Sequence, residues 1–263
     1  MPYPFLGLGF NSWAQKYSRG SASAPTPRPA LLQYTTIAST STFKLRSTGT
    51  VDYVVDWGDG TTESLTTNNP AHGYSSAGEY TIKITPAEGS TYRPYFNDLG
   101  SDSSIASISG AGGSQLGTDL SDAWDGTSNM GSFSGDIDTS SVTSFNFAWR
   151  KAGLTSFPLL DFSSATSLLG AWQQMPNLTS FPANMFDTTG TLASTAFDAA
   201  WDNSSLSAQS IENILVSLDT NGASNISLGI GGGTNAAKTT WSTAANTAYT
   251  NLINKGWTIS YNP

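Results

Sequence analysis

Cysteine is absent from the 263 residues. Disulfides, a thiol nucleophile, a cysteine-ligated zinc site and an iron–sulfur cluster are therefore excluded. Charge is scarce as well: only 11% of residues are Asp, Glu, Lys or Arg. Ser, Thr, Gly and Asn supply the polarity instead, a composition that suits extracellular or virion β-rich proteins with hydroxyl-rich surfaces. Positive charge is the scarcer sign. Lys and Arg number 11 against 19 Asp and Glu, for a net charge of -8 and a pI near 4.4. No basic stripe is available for nucleic acid, and anionic membrane surfaces are disfavoured. No apolar run approaches the length of a membrane span. Histidine occurs once, as His72, with no Cys and no Ser partner placed to complete a catalytic triad.

What the chain does have is a repeat, from Ala123 to Leu206. The pair Ala-Trp occurs at Ala123-Trp124, Ala148-Trp149, Ala171-Trp172 and Ala200-Trp201, in steps of 25, 23 and 29 residues. Behind each Trp comes Met130, Leu154, Leu178 or Leu206. Two copies read Leu-Thr-Ser-Phe-Pro without change, Leu154 to Pro158 and Leu178 to Pro182, and Phe133 holds the same place one step earlier. A third register runs from Asp138 to Ser144, from Asp161 to Ser167 and, more loosely, from Asp187 to Ser194. A period in the low twenties belongs to a solenoid. One copy cannot bury its own apolar face, and stacking the copies aligns their Leu, Phe and Trp side chains as a continuous core. Asp-Thr-Ser-Ser makes a corner, because those side chains bond the backbone locally. Each copy is expected to be a short strand, a corner and an irregular or helical return. The four repeat Trp residues are expected as a buried ladder rather than an open platform for sugar stacking, since each holds one register position beside Ala.

The first ten residues have no basic start, and two prolines and two glycines interrupt their apolar run, so they do not read as a secretory signal. The expectation is a surface protein that needs no export, as a lysis-released virion protein would be. Residues 1–30 form no core of their own. Phe5, Leu6, Leu8, Phe10 and Trp13 are expected to dock on other virion proteins as an assembly anchor, while Pro25, Pro27 and Pro29 keep the following segment extended.

Residues 31–86 alternate in period two, through Leu32, Tyr34, Ile37, Phe43 and Leu45 to Val51, Tyr53 and Val55, which marks a small sandwich. Asp56-Trp57-Gly58-Asp59-Gly60, followed by His72, Tyr74, Gly78, Tyr80 and Ile82, resembles the two hallmark stretches of the polycystic-kidney-disease (PKD) domain. Gly58 and Gly60 are suited to a positive φ at a sharp turn, and Trp57 to filling one end of the sandwich. Asp56 and Asp59 are calcium candidates, because calcium takes oxygen ligands. A turn held by Asp side chains is the plainer reading, since the stretch lacks a loop of alternating carboxylates. His72 is expected to be structural, hydrogen-bonded near that turn.

Tyr92 to Leu99 and Ser104 to Ile108 read as two short strands forming a first, atypical layer. With them the chain resembles the BspA-type leucine-rich-repeat surface proteins across most of residues 31–206, with Ala-Trp where that family carries Met-Phe. The resemblance implies adhesion at a surface and brings no catalytic residues. Beyond it, Ser207 is suited to capping a helix with Ile211, Ile214, Leu215 and Leu218 on one face, stopped by Asn221-Gly222. Ile226 to Ile230 reads as a strand. Ser242 opens a second helix, with Ala245, Ala248, Tyr249, Leu252 and Ile253 on one face, ended by Gly256. Trp257 to Tyr261 is a last strand.

Two sharper chemical readings are available. Gly232 to Thr239 places Lys238-Thr239 at the phosphate-loop distance, but Ala237 replaces the second glycine, and a plain loop is favoured. Asp119, Asp122, Asp125, Asp136 and Asp138 would suit a paired-carboxylate glycosidase, although several sit where the repeat needs a turn-making Asp. The expected fold is mainly β: an N-terminal arm (1–30), a small PKD-like β-sandwich (31–91), a short leucine-rich-repeat-like solenoid (92–206) and an α/β C-terminal cap (207–263). The expected function is a non-enzymatic bacteriophage virion structural protein, in capsid decoration or tail-associated. It would be oligomeric in the assembly, with a host-surface glycan or protein as a further partner and no cofactor. A bacterial cell-surface adhesin and a polysaccharide-degrading virion enzyme are the alternatives.

Overall fold

The computed structural model describes residues 30–36, 41–44, 47–87, 90–96 and 105–263. The expected anchor residues Phe5, Leu6, Leu8, Phe10 and Trp13 lie outside the described residues, as do Ile37, Leu45, Leu99 and Ser104. The described chain is mainly strands, with two α-helices towards its C-terminus.

Strands β3 (Tyr53–Asp56), β4 (Thr62–Leu65) and β6 (Gly78–Pro86) join β1 (Ala30–Thr36), β7 (Ile105–Gln115) and β8 (Ser132–Asp138) in one six-stranded sheet, ordered β4-β3-β6-β1-β7-β8. The period-two pattern sets its inner face: Tyr53 and Val55 of β3 and Ile82 and Ile84 of β6 are buried. A second, two-stranded sheet pairs β2 (Ser41–Lys44) with β5 (Ala71–Tyr74). Tyr74 ties it to the first sheet, its ring 4.0 Å from that of Tyr80 and its hydroxyl donating to the Trp57 carbonyl at 2.9 Å.

The larger sheet crosses the expected division at residues 91 and 92. Only single bridges form at Tyr92 and Pro94, whereas β7 is a long strand paired with β1. Every pairing in this sheet is antiparallel except β7 with β8, which is parallel. A parallel neighbour needs a crossover of a dozen residues or more, and residues 116–131 supply it as the first of the stacked rungs.

Apart from β8, the expected short strands of the repeat region shrink to isolated parallel bridges, among them Asp119 to Ser144, Ser144 to Ser167 and Ser156 to Ser180. The reason lies in how the amides are shared. In the first rung Leu120, Asp122, Trp124 and Gly126 donate to Ser144, Asn146, Ala148 and Arg150 of the next. The intervening amides of Ala123, Asp125 and Thr127 turn back to the carbonyls three residues earlier. The second rung repeats this from Phe145 to Lys151 and the third from Leu168 to Gln174. The chain is therefore a run of consecutive turns, each hydrogen-bonded to its neighbours in the stack. Residues two before each Trp take positive φ: Asp122 (55°), Phe147 (55°), Gly170 (57°) and Ala199 (52°). Those two after do so as well: Gly126, Lys151, Gln174 and Asn203. The conformation costs a non-glycine residue roughly 1–2 kcal/mol, and the inter-rung bonds hold it.

The turns carry the Trp ladder inward. Trp124, Trp149, Trp172 and Trp201 are buried and stack at successive centroid distances of 5.3, 5.6 and 4.7 Å. Phe133, Phe157 and Phe181 stack beside them at 6.1 and 5.5 Å. The indole N–H groups of Trp149, Trp172 and Trp201 are buried without an acceptor. Each orphan costs about 1–3 kcal/mol, whereas burying a ring of roughly 200 Å² at about 25 cal/mol/Å² gains about 5 kcal/mol, so burial wins.

The last rung is sealed by two strand-and-helix units. Helix α1 (Ala208–Asn221) starts where the Ser207 side chain accepts from the Ser210 amide and ends at Gly222 with φ 83°. Strand β9 (Ser227–Ile230) continues the ladder, accepting the Trp201 amide at the Gly229 carbonyl. Helix α2 (Thr243–Asn254), capped by Ser242, leads to β10 (Thr258–Tyr261), which pairs in parallel with β9. Ala245, Ala248 and Leu252 of α2 are buried as expected, but Ile253 is 40% exposed. The buried stripe is narrow and Ile253 lies past its edge, beside Leu252.

Candidate functional site

The turn after β3 is closed by its own carboxylates. Asp56 Oδ1 accepts from the Gly58 amide at 3.0 Å, and Asp59 Oδ1 accepts from the Thr61 amide at 3.0 Å and hydroxyl at 2.6 Å. Gly58 and Gly60 take φ 80° and 94°, and a Cβ on Gly58 would meet the Thr81 carbonyl oxygen at 2.7 Å. His72 Nε2 lies 2.8 Å from Asp59 Oδ2, and its ring stacks on Trp57 at 4.7 Å. Burial pushes the Asp59 carboxyl up, but the Thr61 hydroxyl, His72 and the Thr61 amide together bring it down to about 2. The structure thus brings both calcium candidates and the histidine to one turn and gives each a bond within it. Among the described residues no three His, Cys, Asp or Glu side chains converge as a metal site.

The five candidate carboxylates take separate roles. Asp119 accepts from Arg93 Nη2 at 2.5 Å and from the Ser121 amide and hydroxyl at 2.9 and 2.6 Å. Burial raises its carboxyl, but the Ser121 bonds and the Arg93 charge outweigh this and hold it below the usual value. Asp125, with a side chain 0% exposed, is gripped by Arg150 through Nε at 3.0 Å and through Nη2. The Arg150 guanidinium also lies 4.8 Å over the Phe147 ring. Asp138 closes a corner on the Ser140 amide and hydroxyl at 3.0 and 2.7 Å. Asp136 lies on β8, and its side chain is outside the described residues. Asp122 sits between the two arginine-bound carboxylates, its own carboxyl raised by burial and by the Asp125 charge. The repeat register could have revealed the Asp125–Arg150 pair, because each residue directly follows its Trp in adjacent copies.

The glycine-rich loop after β9 does not carry Lys238 into a phosphate cradle. The Lys238 ammonium lies 3.6 Å from the Tyr249 ring centroid and 5.0 Å from that of Tyr261. The loop instead borders a hollow of about 320 Å³ lined by Asp202, Asn203, Gly231, Gly232, Ser260 and Tyr261. Asp202 Oδ1 accepts from the Gly231 amide at 3.1 Å and lies 3.5 Å from the Ser260 hydroxyl. Burial first, and the Asp198 charge after it, raise the Asp202 carboxyl against those bonds. Asp202 had no sequence signal of its own beyond its place after Trp201.

Searches against protein-family models, curated proteins and solved structures find no match to this chain. No helix among the described residues is long and apolar enough to cross a membrane.

Proposed function

We propose that the chain is a non-enzymatic structural protein of a bacteriophage particle, in which a PKD-like sandwich and a leucine-rich-repeat-like solenoid with an α/β cap form one displayed body. Residues 1–30 would hold that body to the capsid or tail through Phe5, Leu6, Leu8, Phe10 and Trp13. The observation that carries this reading is the path of hydrogen bonds from β4 across the sheet to β7, from Ala106 of β7 to Gly131 of the first rung, and on through the four rungs and β9 to β10. A body so connected transmits position stiffly, as a display module must. Exposed threonines brace it further. The hydroxyl of Thr143 donates to Thr118 O at 3.2 Å, that of Thr166 to Thr143 O at 3.0 Å and that of Thr179 to Thr155 O at 3.3 Å. The rungs are thus tied on the outside by side chains that add no charge.

Mass spectrometry of purified particles tests the assignment. The expected result is this chain at stoichiometric copy number, lost from the particle when residues 1–30 are deleted. Recovery from a bacterial envelope and never from particles would replace it with the adhesin reading. Release of reducing sugar that disappears in Asp122→Asn and Asp138→Asn would replace it with the hydrolase reading.

A further inference from the structure

The hollow at the far end of the stack has features that the display role does not use. Its lining comes from three places that only the fold unites: Asp202 and Asn203 after the last ladder Trp, Gly231 and Gly232 after β9, and Ser260 and Tyr261 on β10. At about 320 Å³ it lies at the lower end of small-ligand sites. Its walls are fixed by the backbone. The Asn203 amide donates to Gly231 O at 2.8 Å, and the Gly232 amide to Asn262 Oδ1 at 2.7 Å. Asn262 Nδ2 in turn donates to Asn235 O at 2.8 Å. Gly232 keeps the wall open, since a Cβ there would fall 2.4 Å from Asn203 Oδ1. Tyr261 borders the hollow through its backbone, while its ring lies on the other face of β10, 5.6 Å from Trp241 and 5.5 Å from Tyr249.

The chemistry selects a ligand class. A carboxylate accepts two hydroxyl hydrogens, and an amide and a serine hydroxyl both donate and accept. That set complements the adjacent hydroxyls of a sugar ring. Anions are disfavoured: Asp198 acts electrostatically on Asp202, and the Lys238 ammonium is turned to the two tyrosine rings and does not line the hollow.

We propose that this hollow binds one pyranose unit of a neutral glycan. Asp202 accepts from two ring hydroxyls, and Asn203 and Ser260 complete the polar contacts. The proposal takes the biological source of the glycan from the display reading, but binding itself stands apart from that reading.

The test uses the full chain, labelled with nitrogen-15 and titrated with glucose, galactose, mannose and N-acetylglucosamine, with arginine amide as a cationic probe. Saturable millimolar shifts are expected for at least one sugar at the amides of Asn203, Gly231, Gly232, Ser260 and Tyr261. Asp202→Asn keeps an acceptor for the Gly231 amide and should bind roughly tenfold more weakly or worse. Asp138→Asn, on a corner outside the hollow, should bind as the unaltered chain does. If Asp202→Asn does not give a folded spectrum, Ser260→Ala, at an exposed position, takes its place with a smaller loss expected. No saturable shift with any sugar, shifts confined to other residues, or saturation by arginine amide alone would overturn the proposal. Particle mass spectrometry separates the two readings. A chain present in particles that binds no sugar loses only this site, and a sugar-binding chain absent from particles loses only the virion assignment.

Discussion

At the N-terminal end of the aromatic stack the rungs are tied by ions. Arg93 holds Asp119, and Arg150 reaches back one rung to the buried Asp125. At the C-terminal end neutral groups share the task with the Asp202 carboxylate, which accepts from the Gly231 amide, and with the Lys255–Asp219 pair. The Ser204 hydroxyl accepts from the Met175 amide at 3.2 Å and donates to the Trp172 carbonyl at 2.7 Å. Asn235 accepts from the Leu206 amide and donates to the Trp201 and Ile230 carbonyls. Ser210 and Ser217 bridge α1 to the Phe181 and Phe186 amides. Beneath both ends lie the same Trp column and the same alternation of turn and inter-rung bonds. The aromatic ladder therefore fixes the architecture, and the polar bracing can change its chemistry from rung to rung. The Arg150 brace is costly to break because the surviving Asp125 carboxylate is buried, whereas a neutral brace leaves behind only an unpaired dipole.

Arg150→Ala puts the largest strain on this contrast. It leaves Asp125 buried and unpaired, and the expected cost is about 3–5 kcal/mol in urea unfolding. Replacing both partners together, as Asp125→Leu with Arg150→Met, should recover much of that loss. At the other end, Ser204→Ala removes one hydroxyl and strands one amide and one carbonyl, for about 1–3 kcal/mol. Equal costs at the two sites would show that burial, and not the kind of brace, decides the penalty.

Much of this scaffold was legible in the sequence. The Ala-Trp register foretold the buried ladder, because a small and a large apolar residue at fixed spacing must meet their copies in the next layer. Ser207 and Ser242 announced their helices, since an N-cap acts within one turn and needs no tertiary partner. The positive φ of Phe147 and Ala199 was not legible, because nothing local favours it and only the bonds to neighbouring rungs hold it. The same holds for the lost strands. A Thr-Ser run suits a strand, and only the stack shows every second amide turned inward to close a bend. Ile253 was misplaced because helical spacing marks a face and not the width of what covers it. At the candidate sites, Asp56, Asp59 and His72 came together as their motif implied. The hollow was invisible, because its six lining residues come from three separated segments.

Acid should separate the two ends more gently. Asp119 and Asp59 both have carboxyls lowered in the folded chain. Each therefore contributes stability that is present above the ordinary unfolded value, about 3.9. That contribution is lost as pH falls through the lower folded value, near 2 for Asp59. Hydrogen exchange at falling pH should show the Leu120, Asp122 and Trp124 amides losing protection before those of Trp172 and Trp201. Uniform loss along the ladder would mean that the stack melts as one unit and that the braces do not set local stability.

Asp122→Asn asks for the smallest effect and has the opposite sign. The Asp122 carboxyl is raised, first by burial and then by the Asp125 charge, with Arg150 opposing. A raised carboxyl binds its proton more tightly folded than unfolded, so its ionised form costs stability. That cost appears as pH climbs above the unfolded value of about 3.9 and is complete once pH passes the folded one. Asparagine removes the charge and accepts the positive φ of 55° at this position. Thermal unfolding should therefore show a higher Tm for the variant near pH 7 and no gain near pH 3, where Asp122 is protonated in both states. A gain that persists in acid would assign the effect to asparagine's backbone preference. Loss of stability at neutral pH would show that the ionised Asp122 supports the arginines beside it and that the ionic end of the stack uses all three of its carboxylates.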